Sequence, residues 1–529
     1  MGEYPFTDED IRQIGGHGLT VEEVQRQLDL FKMPLPYLNL VRPCTPGDGI
    51  KVFDQGKIRV FTGIYENEAP ERRSLKFVPA SGAASRMFKI PLRYLNRDKK
   101  IIRESVATEA QAGQKEAREF LKFINGTKKF AFFKDLKSVM SRKGLDADTL
   151  VERGEFTEII RFVLSDAGLN YAGLPKGLIK FHEYPEGSRT AFEEQLIEAA
   201  SYVTSQDGEC FLHFTVSQEH LGIFEALFVR LRSRYEQKYR SAFHVTFSLQ
   251  KESTDTLAVG LDNRPFRQMD GQLLFRPGGH GALIENLNDL EGDIIFLKNI
   301  DNVVPDRLKP ETFKWKKILG GYLIAIQDKI FGYMDKLSSG AADEPFIDQV
   351  TTFVRDELLL LLPASGAASS PDEKRELLMQ RLDRPIRVCG MVRNVGEPGG
   401  GPFWVQDRTG ESSLQIVETA QVNLSSKEQQ AILSSSTHFN PVDVVCGVRD
   451  WKGRPFDLRE YVDPKAVFIS QKSKDGKDLK ALEHPGLWNG SMARWITLFV
   501  EVPSITFNPV KTINDLLRIE HQPEKDLLT

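Results

Sequence analysis

Between residues 208 and 302 the chain alternates two kinds of segment, and that alternation restricts the fold more than any other feature. GECFLHFTVS and AFHVTFSLQ are short, apolar and rich in β-branched and aromatic residues, as strands are. EHLGIFEALFVRLRSRY, between them, repeats apolar residues three and four apart, which places them on one face of a helix. GDIIFLKNIDN then reads as another strand, one that ends abruptly in a carboxylate. Strands alternating with helices predict an α/β fold with a mostly parallel, doubly wound sheet, whose ligands collect at the carboxyl ends of the strands. Asp301 is delivered to such an end.

Elsewhere the signals are local. Thr7 and Thr20 sit as helix N-caps, the second with Glu23 at capping-box spacing, so residues 1–45 are expected to form a helical preface. IKVFDQG and KIRVFTG alternate with period two around turn glycines and predict a hairpin. SLKFVPASGAASRMFK reads as a buried strand, Leu75 to Val78, that runs into a loop of small residues. From about residue 97 to 173 the chain is rich in Lys, Glu, Ala and Leu at helical spacing, a helical insert in a core spanning 46–361. Residues 362–374, LPASGAASSPDEK, read as a linker, and RPIRVCGMV, SLQIVET, DVVCGV and WITLFVEVP make 375–529 a strand-rich C-terminal lobe. PASGAAS occurs at 79–85 and again at 363–369, but only the first copy is followed by a cation, Arg86.

Composition narrows the function classes. With 70 basic and 74 acidic residues the net charge is −4, which leaves no footprint for a general nucleic-acid binder. The four cysteines are scattered and form no CxxC pair, so a reducing, cytoplasmic setting is expected. The longest apolar run, ELLLLLPA at 357–364, is far too short for a membrane span. At 529 residues, two or three lobes are expected.

Two stretches invite chemistry. Small residues after a strand let backbone N–H groups approach phosphate, and Arg86 can neutralise charge there, although the same residues also make an ordinary tight turn. Lys176, in LPKGLIKFH, lies between a proline and a glycine and is held on irregular backbone. By itself it reads as a surface lysine.

The order of motifs resembles the UDP-sugar pyrophosphorylases, nucleotidyltransferases that join UTP and a sugar 1-phosphate to give UDP-sugar and pyrophosphate. VPASGAASRM is similar to their glycine-rich LxGGxGTRL; PKGLIKFH…RTAFEEQLIEAA to their PKG segment and helix; HFTVSQEHLGIFEALF and FSLQ to two later strand ends. RPGGHGALIENL…FLKNIDN resembles their PxGHGD turn and the strand ending in DN, while QIVET, HFN and TFNPVKTINDLL resemble motifs of their C-terminal half. The signature's last glycine and its threonine are here Ala84 and Ser85, the stretch from Arg86 to Lys176 is unusually long, and the C-terminal β-helix of several members is not expected in the residues after Lys511.

The resemblance implies a GT-A/Rossmann-like core and a reaction needing positioning, charge neutralisation and a divalent ion. It assigns Arg86 to the β- and γ-phosphates, Lys176 to charge at the α-phosphate and leaving group, Lys511 to the sugar phosphate or α-phosphate, and Asp301 to Mg²⁺. Ser81, Gly82, Gln250 and Gly279 would line the nucleotide, with a side chain at Gly279 striking the base; His280, Glu418 and Asn440 would meet the sugar. Plainer roles stand beside these: Gln250 as a strand-end cap, His280 as a turn residue, Glu418 as a surface charge. Trp488, Asn489 and Trp495 are candidates for one wall of the acceptor pocket. Both lysines are expected to be replaceable without loss of the fold. The alternatives are a catalytically inactive nucleotide-sugar-binding or regulatory protein and a GT-A glycosyltransferase, which would normally carry Asp-x-Asp where this chain has Asp301-Asn302-Val303.

Overall fold

A computed structural model describes residues 4–34, 37–97, 99–361, 370–394, 396 and 399–523. The fold is mixed α/β with a large, mostly parallel central sheet, as the alternation predicts. The chain divides into two compact units, each discontinuous in sequence: unit one is 1–75, 248–297 and 317–504, and unit two is 76–247, 298–316 and 505–529. The last segment of the expected C-terminal lobe therefore belongs to unit two.

Unit two carries neighbouring strands Ser74–Pro79, Glu209–Val216 and Ala242–Leu249 in that order. Its insert is helical: Arg103–Gln111, Lys115–Asn125, Phe133–Ser141, Ala147–Arg153 and Thr157–Leu164. Phe120, Phe123, Phe130 and Phe132 form a chain of ring contacts at its core. The helix Ala191–Tyr202, opened by a Thr190–Glu193 capping box, is buried on nearly every side although it carries three glutamates and a glutamine. Burial of such groups is tolerable only when each is paired. Glu193 accepts from Tyr235 Oη at 2.9 Å. Glu198 lies between the Lys298 and Lys76 ammonium groups at 2.9 and 3.1 Å. Glu194 accepts from Tyr184 Oη at 2.7 Å, from Lys309 and from His182 Nδ1–H at 2.9 Å, leaving His182 Nε2 to accept from His521 Nδ1–H, also at 2.9 Å.

In unit one, Gly49–Lys51, Ile496–Glu501, Ile386–Arg393 and Asp443–Gly447 are neighbours in that order; the first three run parallel and the fourth is antiparallel to the third. A smaller antiparallel sheet joins Asn39–Pro43, Gly401–Gln406 and Ser412–Val417. Phe468–Lys474 and Lys477–Glu483 form a hairpin.

Three expectations are corrected. The preface is helical only to Lys32, in Asp8–Gly16 and Val21–Lys32, because Asn39–Pro43 pairs as a strand. The hairpin is absent: Gly49–Lys51 is a strand but Gln55–Glu68 is a helix, since Asp54 caps the Lys57 N–H at 2.8 Å. Ile58, Phe61 and Tyr65 then fall on one helical stripe, which the period-two reading overlooked. The linker over 362–369, with the second PASGAAS, lies outside the described residues; from Pro371 the chain is the helix Pro371–Leu382, capped by Ser370 with Glu373 in a capping box. Among the described residues no helix is long and apolar enough to cross a membrane.

Candidate functional site

Unit two gathers residues distant in sequence around one carboxylate. The strand Ile294–Lys298 leads into Asn299-Ile300-Asp301, and Gln195 fixes this turn by donating its Nε2–H to the carbonyls of Asn299 and Ile300 at 2.9 and 3.3 Å. The segment from Asn508 to Lys511 lies along it. Asn508 N–H donates to Asn302 Oδ1 at 3.0 Å and Val510 N–H to the Asp301 carbonyl at 3.1 Å. Asp515 caps the backbone N–H groups of Lys511 and Thr512 at 2.9 and 2.7 Å, a Thr512–Asp515 capping box legible in the sequence.

Lys176 arrives from the other side. Its loop pairs with the small-residue loop, Lys176 N–H donating to the Gly82 carbonyl and Ala84 N–H to that of Leu174, both at 3.0 Å. Gly177 is required by close approach, because a Cβ there would lie 2.9 Å from the Phe224 ring. The PKG sequence thus turns the chain tightly enough to bring Lys176 inward. Its Nζ donates to Asp301 Oδ2 at 2.7 Å and to the Val510 carbonyl at 2.9 Å, and Lys511 Nζ reaches the same Oδ2 at 3.4 Å.

The electrostatics follow from these distances. Burial would raise the Asp301 pKa, but Lys511 and Lys176 together hold it below the ordinary carboxylate range. Two ammonium groups on one carboxylate leave a net positive charge. Arg86, in the 3₁₀ turn Ala84–Arg86, is exposed with no carboxylate partner among the described residues, and the neighbouring Met87 carbonyl accepts the Ile513 N–H at 3.3 Å. Ser81 and Gly82 are exposed on the same loop, and a Cβ at Gly82 would meet open space. Asp301 Oδ1 is buried without a hydrogen-bond partner. A cationic, preorganised cluster with one orphaned carboxylate oxygen suits phosphate groups. That oxygen fits a single protein ligand to Mg²⁺, a hard cation that takes one or two carboxylates and fills its remaining positions with water and substrate oxygens.

The remaining candidates belong to unit one. His280 and Glu418 line a cavity of about 270 Å³ together with Tyr37, Gln421, Phe468 and Glu483. The His280 ring stacks on Trp488 with centroids 4.4 Å apart, and its Nδ1 accepts the Leu487 N–H at 3.1 Å. Desolvation lowers the His280 pKa to about 4, so the ring is neutral and carries its proton on Nε2, 3.9 Å from Glu418. Burial raises the Glu418 pKa; a hydrogen bond from the Trp488 side chain opposes this and Glu483 adds to it. Gly279 has φ +77°, a conformation that demands glycine by itself, and its Cβ would also lie 2.9 Å from Glu483 Oε2. Gln250 and Asn440 do not line this cavity. Asn440 Oδ1 accepts the Val442 N–H at 3.0 Å, while Asn440 Nδ2 and Gln250 Nε2 are buried without partners. Asn489 donates to the Ile416 carbonyl at 2.9 Å and Trp495 is buried.

Sequence reasoning missed the groups that hold the cluster in place: Gln195, the Val510 carbonyl and Asp515. Only Asp515 carried a readable signal, its capping-box spacing.

Among solved structures, the chain is similar to UDP-glucose pyrophosphorylase from Leishmania major at 11% identity over 97% of this chain and 78% of that one, with a TM-score of 0.43. A mutant of the same protein in complex with UDP-glucose matches at 11% identity over 98% and 80%, TM-score 0.43. UDP-glucose phosphorylase from Trypanosoma brucei matches at 12% identity over 96% and 77%, TM-score 0.42. No curated protein matches the chain in sequence. A family model matches residues 7–522, nearly the whole chain, and the chain therefore belongs to the family described as a domain of unknown function, DUF4301.

Proposed function

We propose that the chain is a nucleotidyltransferase that forms a UDP-sugar and pyrophosphate from UTP and a sugar 1-phosphate. The observation that carries this reading is the convergence of Lys176 and Lys511, 125 residues before and 210 after Asp301, on that one buried carboxylate. A surface lysine has no reason to meet another across such a separation. The order of sequence motifs independently assigns Lys176, Lys511 and Asp301 to one site.

In uridylyl transfer a sugar-phosphate oxygen attacks the α-phosphorus of UTP while the bond to pyrophosphate breaks. Both partners are anionic, so the protein's contribution is to align them and offset their charge. Lys176, anchored by Asp301 and the Val510 carbonyl, is assigned to the charge that grows at the α-phosphate and leaving group. Lys511, more exposed, meets the incoming sugar phosphate or the α-phosphate, and Arg86 the β- and γ-phosphates. Ser81 and Gly82 offer backbone to the nucleotide. Asp301 would hold Mg²⁺, which supplies Lewis-acid neutralisation of phosphate oxygens when bound. Gln250, whose unpartnered amide is a ready donor, and Gly279 are proposed for the base. His280 and Glu418 are proposed for sugar hydroxyls, as is Asn440 through its Nδ2.

A screen of nucleoside triphosphates against sugar 1-phosphates with Mg²⁺, reading pyrophosphate, tests the reading. Release with UTP and one sugar 1-phosphate, stopped by chelation, supports it. Nucleotide binding without release across the panel would point instead to a binding protein.

A further inference from the structure

Unit one contains a second, larger cavity of about 500 Å³, within the range of small-molecule sites, that none of the candidate residues lines. It opens where the strand Gly49–Lys51 ends and the chain turns into the helix Gln55–Glu68. Phe53, Phe61 and Tyr322 all line it and form a triangle of rings with centroids 4.9–5.0 Å apart, tilted 53–71° to one another, an aromatic corner rather than a plane. Tyr322 is 3% exposed, and its hydroxyl is buried with no hydrogen-bond partner. A buried hydroxyl left unsatisfied costs free energy that a ligand can recover.

The charges around the cavity are unequal in a useful way. Glu357 is engaged by Lys51 at 3.1 Å, and Asp356 by Arg355 at 2.6 Å. Lys57 and Lys329 also line the cavity, are exposed, and have no carboxylate partner among the described residues. What the cavity offers is therefore an aromatic corner, one unpartnered hydroxyl and two ammonium groups without a carboxylate, that of Lys329 lying 5.9 Å over the Phe353 ring.

We propose that this cavity binds a small anion that carries a flat apolar ring, the ring against Phe53, Phe61 and Tyr322 and the anionic group at Lys57 and Lys329. The site is independent of the Asp301 cluster, whose residues all belong to unit two.

The test uses the full chain and isothermal titration calorimetry with three probes: phenyl phosphate, inorganic phosphate and benzyl alcohol. Phenyl phosphate should bind at least about tenfold more tightly than either fragment. The Lys57→Ala/Lys329→Ala variant should weaken it by about tenfold or more, the scale of a lost charge-assisted hydrogen bond. Both lysines are exposed, so this variant should keep the native circular dichroism spectrum. Lys176→Met should leave unchanged the part of phenyl phosphate binding that the double lysine variant loses. Equal affinity for phenyl phosphate and inorganic phosphate overturns the role of the ring wall. Undiminished binding in the double lysine variant, a loss confined to Lys176→Met, or no binding of phenyl phosphate overturns the site itself. None of these outcomes depends on pyrophosphate release, so they are separable from failure of the proposed transferase activity.

Discussion

Replacing Lys176 with methionine separates its two roles. The methionine keeps most of the side-chain volume and removes the charge. Lys176 and Asp301 are 12% and 8% exposed in their side chains and meet at 2.7 Å, whereas Lys511 is 43% exposed and lies 3.4 Å away. Breaking a buried pair costs about 3–5 kcal/mol because the surviving charge is left uncompensated. Here Lys511 still faces Asp301, so Lys176→Met should fall near the lower end, about 3 kcal/mol. Lys511→Met removes a solvent-screened partner and should cost about 0–1 kcal/mol. The sequence reading expected both lysines to be dispensable for stability; burial amends this for Lys176 alone. In the proposed reaction both variants should lose roughly 100- to 1,000-fold in kcat/KM, the scale of removing a preorganised donor. The assay is hydrogen exchange of peptides covering 174–180 and 505–516, alongside pyrophosphate release. Equal protection in wild type and Lys176→Met would refute the buried pair, and wild-type turnover in either variant would refute its catalytic role.

Asp301→Asn should lower kcat by about two orders of magnitude or more; unchanged turnover with unchanged Mg²⁺ dependence would remove Asp301 from the reaction. Glu198→Gln strips the counter-charge from two buried lysines and should destabilise by about 3–5 kcal/mol in denaturant titration, whereas Lys76→Met leaves the Glu198–Lys298 pair intact and should be neutral or stabilising. A strongly destabilised Lys76→Met would contradict that asymmetry. Burial lowers the pKa of His182 and pushes that of His521 well down, so the folded state resists protons that the unfolded chain takes up. The stability they contribute is complete above the unfolded histidine value of about 6.5 and is lost as pH falls through the depressed folded values. His521→Gln should therefore flatten the fall of Tm below about pH 6.5, and an unaltered slope would count against the buried histidine pair. Thr20→Ala should cost about 1 kcal/mol through loss of its N-cap, read as a lower denaturation midpoint.

The strands and helices from Glu209 to Lys298 were legible because burial imposes a period on them, and the insert because its apolar residues follow helical spacing. The helix Gln55–Glu68 was not, since QGKIRVFTG carries β-branched residues that alternate over a few positions; the cap at Asp54 and the stripe through Tyr65 decide the outcome. The hairpin Phe468–Glu483 turns at Asp475-Gly476, both with positive φ, a pair whose chemistry specifies such a turn and which was overlooked. At the candidate site, residue types and motif order were enough to nominate Arg86, Lys176, Asp301 and Lys511. They did not reveal that both lysines share one carboxylate oxygen, because that depends on a backbone carbonyl and on Gln195, whose contributions leave no pattern in sequence.

The position of Lys511 so late in the chain governs when the cluster can exist. During synthesis Lys176 and Asp301 are made well before their partner, and the polypeptide grows at ~5–20 residues per second, so roughly half a minute passes before the second lysine is available. For that interval Asp301 has one cation at most, and the Val510 carbonyl that holds Lys176 is missing as well. A nascent chain that has not reached Val510 and Lys511 carries no assembled cluster, and its insert also lacks Asn514, which donates to the Glu119 carbonyl at 2.8 Å.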